Sequence, residues 1–446
     1  MAFSPPLLIT GGSVAFLDDA LTVRERSSVA IVDGLIDAVG PDDELAGRYP
    51  DAERLHVPGK LVMPGLINLH THLYSELARG LIADIEPSSS FTEILEHLWW
   101  RLDRALTDED IRLSAAAGAI DLIRNGTTTI VDHHASQVHI DGSLSAIADA
   151  LSEAGLRSNL CFEVTDRDGP VAREAGLKEN ERFAKAVQAG GSLVGASVGL
   201  HASFTLEDAT LERAGGLARD LGVGCHIHVA EDIADVEDSL GRSGKRVVER
   251  LQSFDVLGAR TIAAHCIHID DSERSILEET STLVAHNPQS NMNNAVGCAD
   301  VPGMLAAGVL VGLGTDGFTA SLFDEMKVAN LIHMHQAGDP GVGHDIATTL
   351  GLKNNALAAS RLFGRAIGKL EAGAAGDVIV LDYDPPTPLV TGNFGGHLIF
   401  GLTGWMVETV VVGGRILMKD RELTTLDEHA TLAQARERAL DLWARI

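Results

Sequence analysis

Cysteine is scarce in this sequence. Only 4 occur in 446 residues (Cys161, Cys225, Cys266 and Cys298), and none forms a Cys-x-x-Cys pair. That excludes a disulfide framework and fits reduced thiols in a cytoplasmic protein. Positive charge is also in short supply. Lys and Arg number 35 against 63 Asp and Glu, for a formal net charge of −28. A surface so acidic repels phosphate backbones and anionic headgroups, so neither nucleic acid nor membrane is an expected partner. No run of about 18 unbroken apolar residues is present to suggest a membrane span. The apolar stretch 7–17 contains glycines and ends in Asp18-Asp19 without a small-residue cleavage pattern. It reads as a first strand and not as a signal peptide.

What is present suits an ordinary globular chain: 45% hydrophobic and 22% charged residues, in a length that fits two to four domains. Residues 1–65 read as short strands broken by Gly-Gly and Asp-Gly. Asp33-Gly34 between two β-rich runs predicts a hairpin. From residue 66 the pattern becomes strand and helix in alternation. Thr107 is placed to cap a helix whose first turn holds Asp108, Glu109 and Asp110, and Asn125-Gly126 is placed to stop it. Strand candidates lie at 66–72, 127–133, 158–164, 193–201, 223–229, 260–265, 282–286 and 309–316. Eight strands with helices between them match the size of a (β/α)₈ barrel, expected over 66–372. A doubly wound sheet is the alternative architecture. Short strands return over 373–425, and they are expected to join 1–65 in one small β-sandwich domain. Residues 426–446 carry an apolar stripe at helical spacing and predict a C-terminal helix.

In such barrels the chemistry sits at the C-terminal ends of the strands. Those ends carry His70 and His72; Asp132, His133 and His134; Glu163; His201; His228, followed by Glu231; His265; His286; and Asp316. His70 and His72 stand at i, i+2 on a strand and so share one face. Three imidazoles (His70, His72 and His228) with the carboxylate of Asp316 suit zinc or iron better than calcium or magnesium. His226 would share the face of His228 but lie deeper, in a core role.

Several runs carry a resemblance. Pro64-Gly65-Leu66-Ile67-Asn68-Leu69-His70-Thr71-His72, His228-Val229-Ala230-Glu231, Ala264-His265, His286-Asn287-Pro288-Gln289-Ser290-Asn291 and Gly314-Thr315-Asp316 resemble, in order, the motifs of the amidohydrolase superfamily. With Gly376-Asp377-Val378-Ile379-Val380 they point to its cytosine/guanine deaminase and triazine hydrolase branch. Leu98-Trp99-Trp100-Arg101-Leu102-Asp103 and Asp132-His133-His134-Ala135-Ser136 are similar to the SsnA-type aminohydrolases.

The resemblance implies His70, His72, His228 and Asp316 as metal ligands, Glu231 as proton shuttle and His265 as partner of the attacking water, with Asp316 sharing that work. Two-metal members use a carboxylated lysine on the fourth strand. Here that strand reads Ser197-Val198-Gly199-Leu200-His201, so one divalent ion is expected, Zn²⁺ before Fe²⁺.

The implied activity is hydrolytic deamination of a small aminated N-heterocycle of purine, pterin, pyrimidine or triazine type. Ring-opening hydrolysis of a cyclic amide or amidine is the alternative. A chlorohydrolase or an inactive scaffold stands further off, because Glu231 supplies the proton that departing ammonia needs and chloride does not. Substrate contacts are expected from Tyr74, Arg79, His133, His134, His201, Asn287 and Asn291. Trp99 and Trp100 are adjacent, so on a helix only one of them can face the core. Residues 81–98 read as a lid, and the resemblance implies a homo-oligomer.

Overall fold

Chain ends that lie far apart in sequence build one sheet in the computed structural model, which describes residues 6–190, 193–343 and 345–446. Residues 1–5 of the expected first segment lie outside the described part. Five strands come first: β1 (Leu7–Ala15), β2 (Val23–Val32), β3 (Leu35–Pro41), β4 (Glu53–His56) and β5 (Leu61–Pro64). The predicted hairpin forms between β2 and β3, where Val32 pairs with Leu35. Asp33 and Gly34 both take positive φ, +51° and +79°, as the two-residue turn with the favoured twist requires.

The barrel follows with β6 (Leu66–Thr71), β7 (Thr127–His134), β8 (Arg157–Phe162), β9 (Val194–Ala196), β10 (Val198–Ala202), β11 (Cys225–Val229), β12 (Ile262–His265), β13 (Leu283–His286) and β14 (Val311–Leu313). Apart from β9, where Gly195 and Ala196 are only half-buried, these runs of β-branched and aliphatic residues form strands buried on both faces, as a parallel sheet covered by helices demands. The fourth expected strand is split. β9 pairs with β8, β10 pairs with β11, and Ser197 lies between them with its hydroxyl donated to Asn159 Oδ1 at 2.8 Å. A parallel bridge from Val164 to Leu200 rejoins the two arcs, and another from Thr71 to Asp316 closes the ring. There the N–H groups of Thr315 and Asp316 both donate to the His70 carbonyl at 2.9 Å. Closure excludes the doubly wound alternative, which would leave open sheet edges.

The remaining strands are β15 (Val378–Leu381), β16 (Val407–Val412), β17 (Arg415–Lys419) and β18 (Glu422–Leu423). They extend the first sheet in the order β18-β17-β16-β15-β5-β1-β2-β3, with β4 on β1. The seam between the two chain ends is the antiparallel β5–β15 pair, in which Leu61 meets Leu381. Ile9, Val14, Val29, Val62, Val378 and Val411 pack into one buried cluster across that seam.

Sheet and barrel are pinned by a buried ion pair. Arg157, at the start of β8, donates from Nε to Asp377 Oδ2 at 2.9 Å and from Nη2 to Oδ1 at 3.0 Å. Asp377 Oδ1 also accepts the Gly413 N–H at 2.8 Å.

The helix Asp108–Arg124 begins at the cap foreseen at Thr107, and Asp110 returns the bond to complete a capping box. The C-terminal helix Glu428–Trp443 docks on it, with Arg438 Nε 2.5 Å from Asp110 Oδ1. Trp443 Nε1 donates to the Leu77 carbonyl at 2.7 Å, which ties the chain end to the loop behind the first barrel strand. No helix among the described residues is long and apolar enough to cross a membrane.

Candidate active site

His70, His72 and His228 converge where β6 and β11 end, and each is oriented through its Nδ1. His72 Nδ1 donates to the His133 carbonyl at 2.6 Å, and His228 Nδ1 donates to the His201 carbonyl at 2.8 Å. Both rings therefore carry a bare lone pair on Nε2, and the two Nε2 atoms face each other at 3.2 Å. Two lone pairs at that range repel unless a cation is held between them. His70 is fixed through Nδ1 to His226 Nε2 at 2.8 Å, and its own Nε2 is buried without a partner. Burial and the neighbouring imidazoles hold His70 and His228 far below the usual imidazole pKa, in the neutral form that ligates metals.

Asp316 follows β14 with φ at +54°. Its Oδ1 lies 3.1 Å from His72 Nε2 and 3.7 Å from His70 Nε2, while Oδ2 accepts the Ser290 hydroxyl at 2.6 Å. Burial opposes its charge, and a cation held among the three imidazoles would favour it. The groups His70–His72–His228 and His70–His265–Asp316 each bring their ligand atoms within 4.8 Å of one another, and both could hold a metal ion. The orphaned Nε2 atoms and the opposed lone pairs fit a bound divalent cation.

His265 ends β12 at φ +72°. Its Nδ1 donates to Asn291 Oδ1 at 2.8 Å, which leaves Nε2 as an acceptor. That nitrogen has no partner, 3.5 Å from Glu231 Oε2 and 3.8 Å from Asp316 Oδ2. Glu231 follows Ala230, another residue at positive φ (+46°). Burial first, and then the Asp316 charge, push the Glu231 carboxyl well above its usual pKa. Non-glycine residues thus hold left-handed backbone at three barrel strand ends, a conformation whose cost is common at functional sites.

The pocket above this cluster is lined by His72, Tyr74, His201, His228, Glu231 and Asp316 among others. Tyr74 and His201 therefore lie where substrate contacts were expected. His133 and His134 are buried behind the wall: His133 Nε2 donates to the Leu200 carbonyl at 3.0 Å, and His134 Nε2 meets Ser136 Oγ at 2.8 Å. Asn287 and Asn291 stand behind His265 and do not line the pocket. Asn291 fixes the His265 tautomer, and Asn287 donates to the Ala285 carbonyl at 3.2 Å.

Arg79 is a correction. It turns outward to Glu76 at 2.6 Å and Asp121 at 2.8 Å, with its side chain 67% exposed. The 3₁₀ turn Leu73–Ala78 carries it off the barrel mouth. Arg79→Ala is expected to leave kcat/KM within about twofold, since an exposed pair of this kind is worth about 0–1 kcal/mol. A tenfold loss in steady-state kinetics would put Arg79 back in the site.

Other contributors lie outside the expected set of substrate contacts. His226 orients His70 and is more than a core residue. A π-helical turn, Leu95–Trp99, interrupts the helical run 91–105, and both Trp99 and Trp100 line the pocket as a result. An unbroken α-helix would turn one of them away. Asp103 and Glu163 also line the pocket.

Residues 61–417 match the profile of the Amidohydrolase family. The chain belongs to that family. This amidohydrolase is a hydrolase of carbon–nitrogen bonds. It is 32% identical over 446 residues to a 5′-deoxyadenosine deaminase of Methanosarcina mazei, which covers 99% of each chain. It is 32% identical over 445 residues to a 5-methylthioadenosine/S-adenosylhomocysteine deaminase of Syntrophomonas wolfei, covering 98% of this chain and 99% of that one. A crystal structure of an adenosine deaminase from Xanthomonas campestris with bound zinc superimposes with a TM-score of 0.87 at 25% identity, covering 99% of each chain.

Proposed function

We propose that this amidohydrolase is a zinc-dependent deaminase that replaces the ring amino group of an adenosine-type nucleoside with oxygen. The observation that carries the reading is the placement of Glu231 and His265 against the His70–His72–His228–Asp316 cluster. The relatives named for adenosine-type deamination, matched over nearly the whole chain, support the nucleoside.

The cluster would hold one divalent ion, which supplies the Lewis acidity that lets water act as a nucleophile near neutral pH. His265 Nε2, with its lone pair fixed by Asn291, takes a proton from that water. Glu231, its carboxyl pushed above its usual pKa by burial, gives a proton to the ring nitrogen beside the amino-bearing carbon. The Glu231 carboxylate then takes the proton left on the added hydroxyl and passes it to the amine, which leaves as ammonia, and the proton taken by His265 restores Glu231. Asp316, with Ser290 fixing its Oδ2, would help to hold the ion and orient the water. The missing lysine on the fourth strand supports a single ion. A third group, His133–Glu163–His228, shares His228 with the first cluster and adds no independent site. The free cysteines, three of them buried, support a cytoplasmic setting.

Ammonia release from zinc-loaded protein tests this. Adenosine, 5′-deoxyadenosine and 5′-methylthioadenosine are expected to release ammonia, ahead of guanine, a pterin, cytosine and an aminotriazine. Metal analysis is expected to return about one zinc per chain, and chelation to abolish turnover. Protein with metal bound that releases no ammonia from any of these compounds would end the deaminase reading.

A further inference from the structure

We propose that the pocket selects its substrate by charge, admitting nucleosides with an uncharged or cationic side group and rejecting those with an anionic one. This rests on the deaminase reading and goes beyond it to the group that substrates carry away from the reacting ring.

Four carboxylates line the pocket besides Glu231 and Asp316: Asp103, Glu163, Asp232 and Asp235. No lysine or arginine lines it among the described residues. The rest of the wall is largely aromatic, with Phe91, Trp99, Trp100 and Phe204 prominent.

Arg167 is the cation set behind this wall, and its Nη2 is taken by Asp103. It is paired with Asp103, lies 3.8 Å from Glu163 Oε1 and 3.5 Å from Asp168 Oδ2, and covers the Trp100 ring at 5.0 Å. Asp103 Oδ1 is buried with no hydrogen-bond partner, and so are Arg167 Nε and Nη1, but Arg167 stands behind the wall and is not among the residues that line the pocket. Burial already raises the Asp103 carboxyl to about 7, and Arg167 only partly offsets it. Asp235 is fixed by N–H donation from Ala230 and Phe204, both at 2.9 Å, and cannot turn away.

An incoming carboxylate or phosphate, held at the far end of the substrate from the metal ligands, would lose its water beside these groups and meet no lysine or arginine of the lining. Like charges some 6–8 Å apart at an effective dielectric of about 20 cost on the order of 30-fold to 100-fold in affinity. An ammonium group would meet carboxylates and aromatic faces, both of which favour it.

The test uses three ligands of similar size on the zinc-loaded protein: adenosine-5′-carboxamide, adenosine-5′-carboxylate and 5′-amino-5′-deoxyadenosine. Calorimetry gives their affinities and ammonia release their turnover. The carboxylate is expected to bind at least about 30-fold more weakly than the carboxamide, and the amine at least as tightly as the carboxamide. Asp103→Asn frees Arg167, and Glu163→Gln removes one negative charge. Each is expected to raise the carboxylate-to-carboxamide affinity ratio about tenfold. The ratio is read within one variant, so a general loss of affinity cancels, and either variant suffices if the other fails to fold.

Carboxylate binding within threefold of the carboxamide overturns the proposal. So does a ratio that neither variant moves, or a carboxamide that does not bind. The expected order of binding without ammonia release keeps charge selection and rejects the deaminase reading. Equal turnover of the amide and the acid keeps the deaminase and rejects charge selection.

Discussion

Glu231→Gln is expected to lower kcat by about 10²–10⁴, the range for removing one general acid–base group. Glutamine keeps the volume of the side chain and its oxygen toward Asn294 Nδ2, 3.4 Å away in the native protein. It cannot hold or return a proton at the position beside His265 Nε2. No ligand of the cluster is touched, so the zinc content should match that of the native protein, and KM should move far less than kcat. Paired metal analysis and steady-state kinetics check both points. A loss smaller than tenfold with zinc retained would remove Glu231 from the proton path. A loss of zinc would show that the carboxylate belongs to the metal site instead.

The second large effect is on stability. Asp377→Ala is expected to cost about 3–5 kcal/mol, the usual penalty for orphaning one member of a buried ion pair. Arg157 would keep its charge in a site where the two side chains are 3% and 1% exposed. The Gly413 N–H would lose its acceptor at the same time. In thermal unfolding this should appear as a fall of several degrees. The double replacement Arg157→Met with Asp377→Leu should recover much of the loss, because it leaves no unpaired charge. A single variant that melts within a degree of the native protein would show that sheet and barrel do not depend on this pin.

Much of the architecture was readable because local chemistry agrees with the global fold. Asp33-Gly34 takes the turn that its two residues favour, and Thr107 caps the helix it precedes. The β-branched runs form the barrel strands because nothing else buries them as well. The convergence at the site was readable too, since strand ends in a closed barrel must meet, and His70, His72, His228 and Asp316 stand at those ends.

What stayed hidden depends on side chains brought together by loops. Arg79 lies seven residues past a ligand and still faces away, because a 3₁₀ turn rotates it out. Asp103 acquires a pocket role only when the 91–105 run is laid over the barrel mouth, where it joins Glu163 just past the end of β8. Trp99 and Trp100 share the pocket through a π-turn that period-3.6 reading does not anticipate. His226 looked like core because its partner, His70, is 156 positions away.

The β5–β15 seam has a consequence for how the chain is made. Leu61 leaves the ribosome long before Leu381, at a delay on the order of tens of seconds at ordinary rates of synthesis. Until then β5 presents a fully apolar edge with no strand beside it, while the barrel forms behind it. Such an edge invites pairing with another nascent chain. Chains shortened before residue 378 would keep that edge for good, so premature termination should yield aggregate and not a free-standing barrel. The same order of events makes completion of the sheet a late step, one in which the final strands both finish the fold and close off its most adhesive surface.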